Sequence, residues 1–248
     1  MKATSFEFRH RVAIVFAIYT LGFWSPWSRY TGSPSPTTTA WLELSGALAS
    51  AHWFSLDTAT LGVTGVALAA ACAGTFLRVW GTAYLGAGVV LSPALYAGSV
   101  LADGPYRHTR NPLYLGSLLF SVAVALLMPP SGAIFFLLAE MVFFFRLILA
   151  EEAHLLAQQG EPYRAYRERV PRLGWSLHAR VPGHGRRPKW GRAVVAEGYY
   201  LSTTICFAVL AWRYNAWLLL KCVLICFGVS LVVRAMLPAE KLVLSEPG

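Results

Sequence analysis

Charge is what this sequence has least of. Only 13% of its 248 residues are Asp, Glu, Lys or Arg, where a soluble domain carries about 25%. Acids are the scarcer sign, with 12 against 21 Lys and Arg, a formal net charge of +9. That shortage, with 56% hydrophobic residues and a mean hydropathy of +0.51, excludes an ordinary soluble domain and predicts a chain that lives in a bilayer. Cysteine is also rare. Cys72, Cys206, Cys222 and Cys226 all lie within apolar runs. None forms a CxxC pair or has a histidine at ligand spacing, so no structural disulfide and no metal are expected. No nucleic-acid recognition motif accompanies the positive charge, which fits loops facing anionic lipid and leaves nucleic acid out as a partner. A dinucleotide-binding fingerprint is missing too. The Gly62 and Gly65 pair falls inside an apolar run and reads as helix packing.

What is abundant is aromatic: 9 Trp, 11 Tyr and 14 Phe, enough for belts at two membrane interfaces. Lys2, Arg9 and Arg11 precede the apolar run Val12–Trp24. The following TLGFWSPWSRY offers no small-residue cleavage site, so a retained first span is expected, ending at Ser25-Pro26. Ser33–Thr39 reads as a loop and Ala40–Ala51 as a short interfacial helix. Leu56–Leu77 is the second span, with Ala67, Ala71 and Gly74 near one-turn spacing for a close helix–helix approach. Arg78-Val79-Trp80 then reads as an interfacial anchor. Tyr84–Leu101 is broken by Gly86, Gly88, Pro93 and Gly98, which predicts a surface or re-entrant segment. Pro112–Met128 and Ala133–Ala150 form a hairpin about Pro129-Pro130-Ser131-Gly132. A polar segment, Glu151–Glu197, is followed by a last hairpin of Gly198–Ala211 and Trp217–Met236 about Trp212–Ala216.

The expected fold is therefore all-α, a polytopic membrane helical bundle of about six transmembrane helices with a polar pocket on the cytoplasmic side. Three regions are expected: N-terminal helices and a loop over 1–77, a core over 78–197, and a C-terminal hairpin and tail over 198–248. With both termini cytoplasmic, 18 Lys and Arg fall inside, leaving Arg29, Arg213 and Lys221 outside or near the outer rim.

Two stretches carry chemistry. Asp103–Gly116, DGPYRHTRNPLYLG, packs arginines, a histidine, an asparagine and tyrosines against the start of an apolar run. Asn111-Pro112 marks a helix start, with Asn able to cap and Pro favoured at the first helical position. Arg110 and Tyr114 then sit one turn apart. The second stretch is EEAHLLAQQGEPYRAYRERVP, from Glu151 to Pro171. The acid pair Glu151-Glu152 reads as the close of its helix, where negative charge opposes the helix dipole and calls for a cation from Arg107, Arg110 or a ligand. Gly160 fits a helix C-cap, and a short helix carrying Tyr163 and Tyr166 on one face runs on to Pro171. Glu140 lies on the same helical face as Glu151, near mid-membrane. It has two readings, a hydrogen bond to a neighbouring helix and a place on a substrate path. The basic loop Arg172–Arg192 reads as a membrane-surface patch or a lid.

The two stretches together resemble the isoprenylcysteine carboxyl methyltransferase and phospholipid methyltransferase superfamily. Its pattern is G-P-Y-R-x-x-R-H-P-x-Y-x-G followed by E-E-x-x-L and G-x-x-Y-x-x-Y-x-x-x-V-P. The resemblance covers about Arg78 to Pro171, and Asn111 stands where the pattern has histidine. It implies transfer of a methyl group from S-adenosylmethionine (SAM) to a lipid or lipophilic acceptor, either a carboxylate or an amine. The implied cofactor contacts are Gly104, Pro105, Tyr106, His108, Asn111, Pro112, Glu151, Glu152, Tyr163 and Tyr166. Arg110, Glu152 and Tyr114 are the implied catalytic residues, with Arg110 and Glu140 toward the acceptor. Two other readings stay open: a membrane NADPH-dependent reductase of sterol-reductase type, and a non-catalytic lipid-binding or scaffold protein.

Overall fold

The structure, a computed structural model, describes residues 2–26, 38–86, 102–211 and 216–236. Beyond Gly86, the expected surface segment Tyr84–Leu101 lies outside these residues, as do most of the Ser33–Thr39 loop and of the Trp212–Ala216 turn. Among the described residues every regular element is helical: α1 (Ser5–Arg9), α2 (Arg11–Trp24), α3 (Ala40–Ser50), α4 (Leu56–Leu85), α5 (Pro112–Ala125), α6 (Pro130–Gln159), α7 (Glu161–Arg169), α8 (Trp190–Ala196), α9 (Gly198–Ala211) and α10 (Ala216–Met236). The protein is a helical membrane bundle. The α4 and α6 helices, 30 residues each, are long and apolar enough to cross a membrane, and α2, α5 and parts of α9 and α10 are shorter apolar helices.

Length has a direct consequence for α4 and α6. Thirty residues at 1.5 Å each make about 45 Å, against about 30 Å of hydrocarbon, so the ends of both helices stand clear of the bilayer core. This corrects two expectations. The helix that carries the second span does not stop at Leu77 but continues to Leu85. The fourth does not close at the Glu151-Glu152 pair: Leu155 and Leu156 extend it to Gln159, where Gly160 at φ +61° ends it. The acid pair therefore sits within a helix, not at its carbonyl end.

Small residues set the helix crossings. A Cβ on Gly74 would strike the Gly116 carbonyl oxygen and lie 2.7 Å from the Phe120 amide nitrogen. At this point α4 and α5 touch backbone to backbone. The last glycine of the first motif is thus a packing residue. The same device joins α2 to α6, where a Cβ on Gly132 would strike the Gly22 carbonyl oxygen. Phe120, Phe136, Met128, Leu147 and Ile148 fill the core between these crossings. At the chain start, Thr4 and Glu7 form a capping box on α1, and Glu7 reaches across to Arg146 of α6 at 2.8 Å.

Candidate functional site

The first motif begins with a turn only glycine can make easily. Gly104 has φ +54°, and a Cβ there would strike the Tyr84 ring at the end of α4. The 3₁₀ turn Gly104–Arg107 follows, and Pro112 opens α5. Asn111 occupies the N-cap position, but its side chain does not cap the helix. Its Nδ2 instead donates to the Arg172 carbonyl at 3.0 Å and to Glu152 Oε1 at 3.4 Å.

Glu152 is the hub. Its side chain is 5% exposed and faces two arginines. Arg172 Nη2 reaches Oε2 at 2.8 Å, and Arg172 Nε lies at 3.0 Å and 3.1 Å from the two oxygens. Arg110 Nη2 lies 3.3 Å from Oε1. Glu151, one position earlier, is placed quite differently. It accepts a hydrogen bond from Tyr114 Oη at 2.8 Å and forms no ion pair among the described residues. The expected pairing of Arg110 with the acid pair thus forms through Glu152, while Tyr114, one turn on from Arg110, takes Glu151.

Arg110 is nearly enclosed, its side chain 7% exposed, yet Nε and Nη1 have no hydrogen-bond partner. Burial works against its charge, and Glu152 is the main group that restores it. Arg172 is shifted the other way, because its hydrogen bonds to Glu152 stabilise the charged form. Tyr106 Oη is likewise buried without a partner. Buried donors are almost always satisfied, so donors left open within one motif mark a place shaped for a ligand. Tyr163 and Tyr166 pack with ring centroids 5.9 Å apart, and Tyr166 Oη donates to the Tyr106 carbonyl at 2.8 Å. Burial raises both phenols, Tyr163 to about 12, so they remain neutral donors at physiological pH.

The segment after Pro171, called the strap below, is fastened across the first motif. Arg110 N donates to the Pro171 carbonyl, Ser176 N to the His108 carbonyl and Arg180 N to the Arg107 carbonyl, at 2.9, 3.1 and 2.9 Å. Asp103 accepts from the amides of His184, Gly185 and Arg186 at 2.8, 3.1 and 3.4 Å. His108 donates from Nδ1 to the Ser176 carbonyl at 2.7 Å, and its ring stacks on Trp175 at 4.9 Å.

The structure thus brings together Arg110, Asn111, Tyr114, Glu151 and Glu152, with Tyr106, Tyr163 and Tyr166 forming an adjoining layer. Gly104, Pro105 and Pro112 shape the backbone, and His108 is committed to the strap. Glu140 stands apart. It is buried at 2% exposure with Oε2 unpartnered, about 16 Å further down α6 from Glu151. Two residues escape the sequence reading: Arg172, which falls in the loop read as a membrane-surface patch or a lid, and Arg78, which reads as an interfacial anchor. Arg78 is instead enclosed, with Nε 2.7 Å from Glu197 Oε2 and Nη1 donating to Ser117 Oγ at 2.7 Å. Thr82 Oγ1 completes the Glu197 site at 2.6 Å. The available signal was Glu197 itself, a lone acid directly before an apolar helix.

An all-helical membrane bundle with two polar motifs joined across a helical hairpin is the class these observations define. Residues 60–161 match the phospholipid methyltransferase family. The chain is also 31% identical over 111 residues to protein-S-isoprenylcysteine O-methyltransferase from Schizosaccharomyces pombe (strain 972 / ATCC 24843). That alignment covers 42% of this chain and 46% of the relative, so the chain spans about half the length of the curated relative it matches. No solved structure matches the chain. Over less than half of its length the chain is thus similar to phospholipid methyltransferases and to an isoprenylcysteine O-methyltransferase. The family match ends at Glu161, before Tyr163, Tyr166 and Arg172.

Proposed function

We propose that the protein is an integral-membrane methyltransferase that moves a methyl group from SAM to a lipid or lipophilic acceptor, with both motifs at the cytoplasmic face of a six-span bundle. The observation that carries this reading is Arg110, a buried arginine held on one nitrogen by Glu152 with its other two nitrogens open. The residues fit the cofactor. Arg110 suits a carboxylate bidentately. Glu151, with a single hydrogen bond on Oε1, suits an ammonium or ribose hydroxyls, and the Tyr163 and Tyr166 layer suits adenine.

When bound, SAM supplies an electrophilic methyl on a sulfonium. The chain's own work is then positional. The Glu152 hub fixes Arg110 and Arg172, and so joins the first motif, α6 and the strap into one rigid wall. The strap lies across that wall and excludes water, which favours an in-line displacement between held reactants. A carboxylate acceptor needs no base at neutral pH. An amine acceptor needs a base to take its proton, and Glu152, whose two oxygens already hold Arg172, Arg110 and Asn111, has no oxygen free for it. Glu140, deeper in the bundle, is assigned to the acceptor side.

Isothermal titration of the purified protein with SAM and, separately, with NADPH tests the reading. Binding of SAM alone supports it. Binding of NADPH alone would replace it with a reductase, and binding of neither with a lipid-binding protein.

A further inference from the structure

Between Glu168 and Glu197 the sequence holds no acidic residue, while Arg180, Arg186, Arg187, Lys189 and Arg192 all fall there. All five are exposed. Their setting is asymmetric. On one side the strap is fastened to the first motif through Asp103, Arg107 and His108. At its end the Lys189 amide donates to the Ala83 carbonyl of α4 at 2.8 Å. The α8 helix that follows buries Ala193 and Ala196 completely, Ala193 against Val79 and Ala83 of α4.

The other side is amphipathic. Leu177 is 85% exposed, and Trp190, Val194 and Val195 of α8 are each about half exposed. These apolar groups flank the five cations in sequence, and α8 leads directly into the apolar helix α9. Lys189 and Arg192 therefore fall within ten residues of the start of an apolar helix. A basic cluster directly before a membrane helix is drawn to anionic headgroups, and exposed Trp, Leu and Val beside it can enter the interface.

We infer that the strap and α8 form a docking surface for the anionic leaflet of the bilayer, and that this contact holds the strap closed over the first motif. The partner is a lipid surface bearing negative headgroups. An acidic protein would satisfy the charges but leave Leu177, Trp190, Val194 and Val195 exposed to water, whereas a bilayer surface takes both. The inference rests on the bilayer reading and not on methyl transfer, so it stands or falls without donor or acceptor.

The full chain is placed in nanodiscs of phosphatidylcholine alone, or with about a third phosphatidylglycerol, and backbone hydrogen exchange is followed over 174–189. The amides of Ser176, Arg180, His184, Gly185 and Arg186 report closure, since each is bonded to the first motif. Each cation near an anionic leaflet is worth about fivefold in association. Exchange is therefore expected to be at least about fivefold slower in the anionic discs. High salt should remove the difference by screening. The Arg187→Gln, Lys189→Gln, Arg192→Gln triple variant should lose most of the difference between the two discs, Arg180 and Arg186 retaining the rest. Equal exchange of the wild-type protein in the two discs would overturn the inference. So would a difference as large in the triple variant as in the wild type, or one that persists in high salt.

Discussion

Replacing the two adjacent acids one at a time should give opposite phenotypes. Glu152 has no free capacity: Arg172, Arg110 and Asn111 already occupy its two oxygens. In Glu152→Gln, Arg110 keeps its charge at 7% side-chain exposure and loses its counter-ion. Breaking a buried pair costs about 3–5 kcal/mol. Arg172, 34% exposed, can rehydrate, which places the expected loss near the lower end, about 3 kcal/mol. For a chain of this size that is a fall of roughly 6–12 °C in the unfolding midpoint. Glu151→Gln keeps a carbonyl oxygen for the Tyr114 hydroxyl, so its stability should change by less than about 1 kcal/mol. It loses instead the charge that we assign to a ligand ammonium or ribose, about 1.5–3 kcal/mol, or roughly 10–150-fold in Kd. Thermal unfolding in detergent and titration with SAM read the two quantities separately. A Glu152→Gln protein as stable as wild type, or a Glu151→Gln protein with wild-type affinity, would refute the division of labour.

Three further outcomes are expected. Arg110→Lys retains a cation for Glu152 but not the two open nitrogens of the fork, so it should fold normally and transfer methyl groups from labelled SAM at least about tenfold more slowly; wild-type turnover would show that charge alone suffices. Gly74→Ala places a methyl 2.7 Å from the Phe120 amide nitrogen, and should destabilise the protein by about 1–3 kcal/mol in thermal unfolding, whereas Gly65→Ala, with open space around it, should not. Glu7 is lowered from 4.5 to about 2 by its Arg146 and Thr4 hydrogen bonds. A lowered carboxyl stabilises the fold above its unfolded pKa, so this contribution is full above pH 4.5, fades as pH falls toward about 2, and should be absent in an acid titration of Glu7→Gln.

Helix boundaries were legible wherever the signal was local. Asn111-Pro112, Gly160 and Ser25-Pro26 mark their ends through backbone chemistry that one or two residues decide. The Glu151-Glu152 boundary failed because charge was given more weight than the apolar period, which Leu155 and Leu156 continue. The grouping of Arg110, Tyr114 and the acid pair was readable from two motifs flanking one hairpin. Which arginine meets which acid was not. The partner of Arg78 is 119 residues away at Glu197, and an arginine at the end of an apolar run looks the same whether it faces headgroups or a carboxylate. Arg172 was hidden similarly, as one cation among many in a basic loop. Asn111 was assigned the right position and the wrong bond, because an N-cap side chain can turn away whenever a carbonyl and a carboxylate lie within reach.

The strap's own share of its ties is mostly main-chain. It offers the carbonyls of Pro171, Arg172, Ser176 and Val181 and the amides of residues 176, 180 and 184–186, with the Arg172 side chain on Glu152 as the chief exception. Main-chain ties do not depend on which side chains the strap carries. Its outward face is therefore free to vary in sequence while the closure beneath it keeps its geometry. One fold could in this way be fitted to membranes of differing lipid charge by changes confined to a single surface, none of which touches the Glu152 hub.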